Sequence, residues 1–272
     1  MKIALGAVLL AMSGVAQAAP GTVDKLWRLD CGAAQVNQLN LFSDTQSYTG
    51  QSRRLVGSCY LIKDGDAYML WDTGLPAAAK GLPIDPAKPM SATLGKTIVE
   101  QLAEIGVKPE QIGLIGISHH HFDHTGQAAD FPKAKLMIGA GDLEAARKNE
   151  EIGKPIANWL GEGAKVEGVT GDKDVFGDGS VTMVDLHGHT PGHHGLLVRL
   201  PKTGAVLLSG DVAHFHENLD SDGVPPFNTD RADSLAAMDR FRKLAKSLKA
   251  VAIIQHDPRD VAKLPAFPQG AE

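Results

Sequence analysis

His119-His120-His121-Phe122-Asp123-His124 places four imidazoles and a carboxylate within six positions. The run that delivers it, Ile112 to Ser118, is apolar and β-branched and reads as a buried strand. The histidines therefore fall on the loop at the strand's C-terminal end, where side chains can converge. Imidazole and carboxylate suit zinc better than oxygen-only or thiolate-preferring metals. Read as HxHxDH, the segment supplies His119, His121, Asp123 and His124, more than one tetrahedral ion needs once other ligands join. Neighbouring residues of an extended loop point to opposite sides. His119 and His121 then share one ion while Asp123 and His124 serve a second, and His120 points away.

The remaining candidate ligands lie in similar settings. His189 lies in His187-Gly188-His189-Thr190-Pro191-Gly192-His193-His194, where Gly and Pro shape a tight turn. Asp211 follows the strand-like LLSGD, and His256 follows the strand-like IIQHD. The expected first site is His119, His121, His189 and Asp211. The second is Asp123, His124, His256 and Asp211, with Asp211 and a hydroxide bridging two zinc ions; iron, manganese or cobalt suit such ligands as well. His193 is expected to hydrogen-bond within its turn or to support a ligand. His187, His194 and His216 receive no role.

Around these motifs the chain reads as two β-rich halves, each with helices. Strands are expected at about 23–30, 57–63, 67–72, 112–118, 134–138, 181–186, 195–200, 204–209 and 250–254. Helical spacing marks 94–105 and 231–248, and residues 42–58 read as a long loop. That pattern is a layered α/β protein with helices outside a two-sheet core. Of 272 residues, 43% are hydrophobic and 22% charged, too apolar for disorder; the net charge of −5 argues against nucleic acid as a partner.

Residues 1–18 read as a secretory signal: Met1-Lys2, an apolar run from Ile3 to Val15, then the small-x-small Ala16-Gln17-Ala18. Residues 19–272 are then a single exported domain, periplasmic or secreted, with no further apolar stretch long enough to span a membrane. Cys31 and Cys59 are the only cysteines. They are either a disulfide, as an oxidising compartment permits, or two buried thiols.

In combination, HxHxDH, GHTPGH, SGD, the late histidine and the WDTG strand end at residues 71–74 resemble the metallo-β-lactamase superfamily over about 57–256. The resemblance implies a four-layer αββα sandwich and hydrolysis, with a bridging hydroxide attacking a carbonyl carbon and Asp123 passing a proton to the leaving group. HxHFDH, with Phe122 at the variable position, is similar to the N-acyl homoserine lactone hydrolases, whose ring-opening of a lactone is the expected reaction. That pattern has a tyrosine three residues after the bridging Asp, contacting substrate; here the position is His214, an alternative donor. Phe42, Tyr48, Phe215 and Phe227 are candidates to line an acyl channel, with 223–228 as its roof. The alternatives are a β-lactamase-like or organophosphate hydrolase, which shares the metal shell, and a non-catalytic metal-binding protein. A bridging Asp211 speaks against the typical β-lactamase. The expected partner is a small lactone or ester; the assembly state, monomer or homodimer, stays open.

Overall fold

The computed structural model describes residues 19–272, so the segment read as a signal lies outside the described residues. Seven strands form the first sheet: β1 (Lys25–Val36), β2 (Arg53–Asp64), β3 (Ala67–Trp71), β4 (Met90–Thr93), β5 (Ile112–Ile117), β6 (Lys135–Gly139) and β7 (Val166–Val169), in the order β4-β1-β2-β3-β5-β6-β7. Five form the second: β8 (Lys173–Asp174), β9 (Val181–Asp185), β10 (His194–Leu200), β11 (Gly204–Leu208) and β12 (Val251–Ile253), in the order β12-β11-β10-β9-β8.

Alternation along the strands builds the layers. Leu26, Tyr60, Ile62, Met69 and Trp71 of the first sheet meet Met183, Leu196, Val198, Val206, Leu208 and Ile253 of the second in one buried cluster. The opposite face of the first sheet, through Leu29, Leu61, Leu70, Ile115 and Leu136, packs on Ile98 and Leu102 of the Ile98–Glu104 helix and on Leu143, Ala146 and Trp159. The opposite face of the second sheet packs Val184, Leu197 and Leu207 on Ala237, Met238 and Phe241 of the Arg231–Leu248 helix. Helix, sheet, sheet, helix is the αββα sandwich expected, and each fully buried Leu, Ile or Phe contributes about 1.5–3 kcal/mol.

Several boundaries differ from expectation. The 94–105 helix is Ile98–Glu104, because Thr97 caps it: its side chain accepts from Glu100 N–H, and Glu100 reaches back to Thr97 N–H. The loop expected over 42–58 ends early, since β2 begins at Arg53; that arginine is kept in place by Glu217 and by its guanidinium lying 4.4 Å from the Phe215 ring centre. β1 runs on past 30 to Val36, with a bulge between Asp30 and Ala33. β4, β7 and the Ala140–Lys148 helix were not expected; both strands are four residues long at sheet edges, too short to carry a periodic signal.

Cys31 and Cys59 are bridged, joining β1 to β2 with Cα atoms 5.8 Å apart. Among the described residues no helix is long and apolar enough to cross a membrane. Closing a loop with a sequence separation of 28 restricts the unfolded chain by about 3–4 kcal/mol in the chain-entropy account. Replacing both cysteines by serine should therefore lower unfolding stability by about 2–4 kcal/mol in urea titration, with the m-value raised as the unfolded chain loses its cross-link and expands. An unchanged midpoint would show that the bridge is not formed.

Candidate metal centre

β3, β5 and β6 run parallel in one sheet, and β11 and β12 run parallel in the other. Their C-terminal ends gather Asp72, the His119–His124 loop, Asp211 and His256; the turn between β9 and β10 adds His189. Glycine permits the close approach of that turn: a Cβ on Gly139, at the end of β6, would sit 1.8 Å from the Gly192 carbonyl oxygen.

All seven expected ligands converge in two groups, His119–His121–His189–Asp211 and Asp123–His124–His256. In the first, His119 Nε2, His121 Nδ1 and His189 Nε2 form a triangle with sides of 3.0, 3.1 and 3.2 Å. A tetrahedral zinc with bonds of 2.0–2.1 Å separates its nitrogens by about 3.3 Å, so the triangle has the right size. In the second, His124 Nε2 and His256 Nε2 are 3.2 Å apart, with Asp123 Oδ2 at 4.0 and 3.8 Å from them. Asp211 lies between: Oδ1 is 3.2 Å from His124 Nε2 and 3.0 Å from His256 Nε2, while Oδ2 is 3.6 Å from His119 Nε2 and 3.5 Å from His189 Nε2. One oxygen thus faces each group.

The outward nitrogens reveal what the inward ones are. His124 Nδ1–H donates to Asp72 Oδ2 (2.9 Å) and His256 Nδ1–H to the Val56 carbonyl (2.7 Å). In the neutral rings both Nε2 atoms are then lone pairs, facing one another and Asp211 Oδ1, a buried oxygen without a hydrogen-bond donor. Three acceptors at such distances repel unless a cation sits among them. The carboxylates draw positive charge to the second group. Burial disfavours charge on His124, yet Asp211, Asp72 and Asp123 hold its pKa well above the ordinary value, so without a metal a proton takes the place that a cation would fill. Burial and the neighbouring imidazoles push His119 and His189 well below the ordinary value, keeping them neutral. The donor set fits a divalent cation.

Supporting residues complete the frame. Asp72, in the left-handed backbone region at φ 60°, accepts from Ser118 N–H (2.7 Å) as well as from His124. Gln255 donates to Asp72 Oδ2 (3.0 Å) and accepts from Trp71 Nε1–H, tying the two sheets beneath the site. The buried Asp142 carboxylate accepts from His120 N–H, Gly192 N–H and Thr190 Oγ1–H at 2.8–3.0 Å, locking the two ligand loops together. His120 turns toward it, away from the cluster, as expected. His193 supports a ligand: its Nδ1–H donates to the Leu186 carbonyl, and its Nε2 accepts from Asp211 N–H (2.8 Å). Of these supports His193 was expected from its turn and Asp72 had a local signal in its place in WDTG, whereas Asp142 had none.

The two groups open on a cavity of about 320 Å³ lined by Phe42, Leu55, Leu75, Met90, Phe122 and Phe227 beside His121, Asp123, His214 and His256. Phe42 and Phe227 line it as expected. Tyr48 and Phe215 do not; they are buried with Val36, Leu39 and Leu55. His214 stacks on His256 with rings 9° from parallel, and its Nε2 is 3.2 Å from Asp211 Oδ2.

Residues 52–256 match the family described as the metallo-beta-lactamase superfamily. The chain belongs to that superfamily. An N-acyl homoserine lactonase from a Bacillus species is 28% identical over 259 residues, covering 91% of this chain and 99% of the relative. The lactonase AttM of Azorhizobium caulinodans is 31% identical over 170 residues, 59% of this chain and 64% of its own length. The solved structure of a quorum-quenching N-acyl homoserine lactone hydrolase superimposes with a TM-score of 0.79 at 25% identity, covering 93% of this chain and all of that one. Another, with N-hexanoyl-L-homoserine at its catalytic metal centre, gives 0.77 at 25% identity over 92% and 100% of the respective chains.

Because the ligands are buried in the fold, bound metal should stabilise it by linkage, by about 2.7 kcal/mol at a free concentration a hundred times Kd. Chelation should lower the thermal midpoint and added zinc restore it. Coincident transitions with and without chelator would contradict the assignment.

Proposed function

We propose that this chain is a dinuclear zinc hydrolase that opens lactone rings, with N-acyl homoserine lactones as its substrates. The observation that carries the proposal is the cavity: four of the seven ligands, His121, Asp123, Asp211 and His256, form one wall with His214, and mostly apolar side chains form the rest. That combination suits a polar ring at the ions with an acyl chain beside it. The superfamily membership and the full-length lactonase relatives support the same reading.

When bound, the two ions supply Lewis acidity toward the ring carbonyl and acidify water at neutral pH. His119, His121, His189 and Asp211 would hold one, and Asp123, His124, His256 and Asp211 the other. Water's oxygen joins the carbonyl carbon, the ring C–O bond breaks, and the ring oxygen leaves as an alcohol. Asp123 is the most exposed carboxylate of the centre, its side chain 27% accessible and facing the cavity, so its Oδ2 carries the proton to the departing oxygen. His214 lines the cavity with its Nε2 3.2 Å from Asp211 Oδ2, and it takes the part of a hydrogen-bonding residue toward the substrate. Phe122, Met90 and Phe227 at the mouth hold the acyl chain and exclude water.

The zinc-loaded mature chain should hydrolyse short- and long-chain N-acyl homoserine lactones, with no matching turnover of a β-lactam. Asp123→Asn should lower kcat by about 10²–10⁴-fold, the usual worth of a positioned acid–base group. Lactam turnover without lactone turnover would overturn the substrate; no turnover with two metals bound would favour a binding protein.

We further propose that the chain is exported, on the strength of the 1–18 segment and the Cys31–Cys59 bridge. N-terminal sequencing of the chain recovered outside the cytoplasm should begin at or near Ala19. A cytoplasmic chain retaining its first 18 residues would contradict export.

A further inference from the structure

His189 does not have a carboxylate or backbone carbonyl behind it, as His124 and His256 do. Its Nδ1 lies 2.8 Å from the side-chain oxygen of Asn228. The direction of that hydrogen bond follows from a chain of partners. Asp230 offers a backbone carbonyl, which can only accept, and Ser234 Oγ–H donates to it at 2.6 Å. With its proton committed, Ser234 Oγ accepts from Asn228 Nδ2 at 2.9 Å. The amide is thereby oriented, so Asn228 Oδ1 faces His189 and Nδ1 must carry the proton. His189 Nε2 is then a lone pair aimed at His119, His121 and Asp211.

The same segment is strapped to the histidine's backbone. Thr229 N–H donates to the His189 carbonyl (3.1 Å) and Asp230 N–H to the Gly188 carbonyl (2.9 Å). Gly188 sits at φ 133°, and a Cβ there would lie 2.3 Å from Ser234 N, so only glycine lets the helix start press this closely. Phe227, the preceding residue, lines the cavity with its ring edge-on to His189. No other side chain contacts the outward nitrogen of His189 among the described residues.

We propose that Asn228, held by Ser234, is a positioning residue that fixes the tautomer and orientation of His189 and so sets the affinity of the first metal position alone. The proposal rests on the two-metal reading above. The second position has its own supports in Asp72 and the Val56 carbonyl and shares only Asp211 with the first, and Asp211 is itself held through its N–H by His193 rather than by Asn228.

The test is a zinc titration of metal-free full chain against a chromophoric chelator, with folding followed by circular dichroism. Wild type should bind two equivalents. Asn228→Leu, similar in shape but without an acceptor, should weaken one binding event by about 10–100-fold, the usual effect of losing a ligand's outer partner, and leave the other unchanged. Asn228→Asp, which keeps an acceptor, should retain both. Ser234→Ala frees the amide to flip and should weaken the same event by a smaller factor. Unchanged affinities in both Asn228→Leu and Ser234→Ala, or equal loss of both events, would overturn the proposal. Fewer than two equivalents in wild type would instead overturn the two-metal reading, and this inference with it.

Discussion

A single carboxylate between two sets of imidazole lone pairs is the constraint on which the structure turns. Asp211 presents Oδ1 to His124 and His256 and Oδ2 to His119 and His189, with no hydrogen-bond donor on Oδ1. Buried acceptors left facing one another cost several kcal/mol in sum. A chain can sustain that arrangement when a cation resolves it and when the surrounding fold is rigid enough to resist relaxation. The seven-ligand donor set fits such a cation, and the fold supplies the rigidity. The ligand loops are clamped by Asp142, Asp72 and Gln255, and each clamp bonds groups from separate elements.

The sandwich explains why such a centre can be assembled from distant residues. Parallel strands place their C-terminal ends on one side, so β5, β11 and β12 each deliver a ligand-bearing loop to the same rim. The inter-sheet core carries the loops, and Trp71, fully buried within it, bonds through Nε1 to the Gln255 that also holds Asp72. Packing and metal geometry are therefore one network. The disulfide between β1 and β2 stiffens the strands beneath Leu55 to Gly57, which line the substrate cavity.

Much of this was legible in the sequence because the decisive signals are local. HxHxDH follows an apolar β-branched run, Asp211 and His256 end strands, and GHTPGH is a turn; all seven side chains meet as that spacing implies. The layers followed from apolar periodicity. What stayed hidden depends on partners far apart in the chain. Asp142 acts on residues 48 and 50 positions away, and Asn228 on one 39 positions away; no motif surrounds either. Four aromatic residues were candidates for the acyl channel, and their place in the fold divided them: Phe42 and Phe227 line the cavity, while Tyr48 and Phe215 pack behind Phe42 in the same buried cluster. Arg53 masked the start of β2, since a charged strand end looks like a loop until Glu217 and Phe215 are seen against it.

The central claim is that Asp211 lies between two metal ions. Anomalous diffraction at the zinc edge from crystals of the zinc-loaded chain tests it most directly. Two peaks should appear, about 3.5–4 Å apart, one among His119, His121 and His189 and one among Asp123, His124 and His256, each touching one Asp211 oxygen. A single peak, or two that Asp211 does not join, would contradict the account.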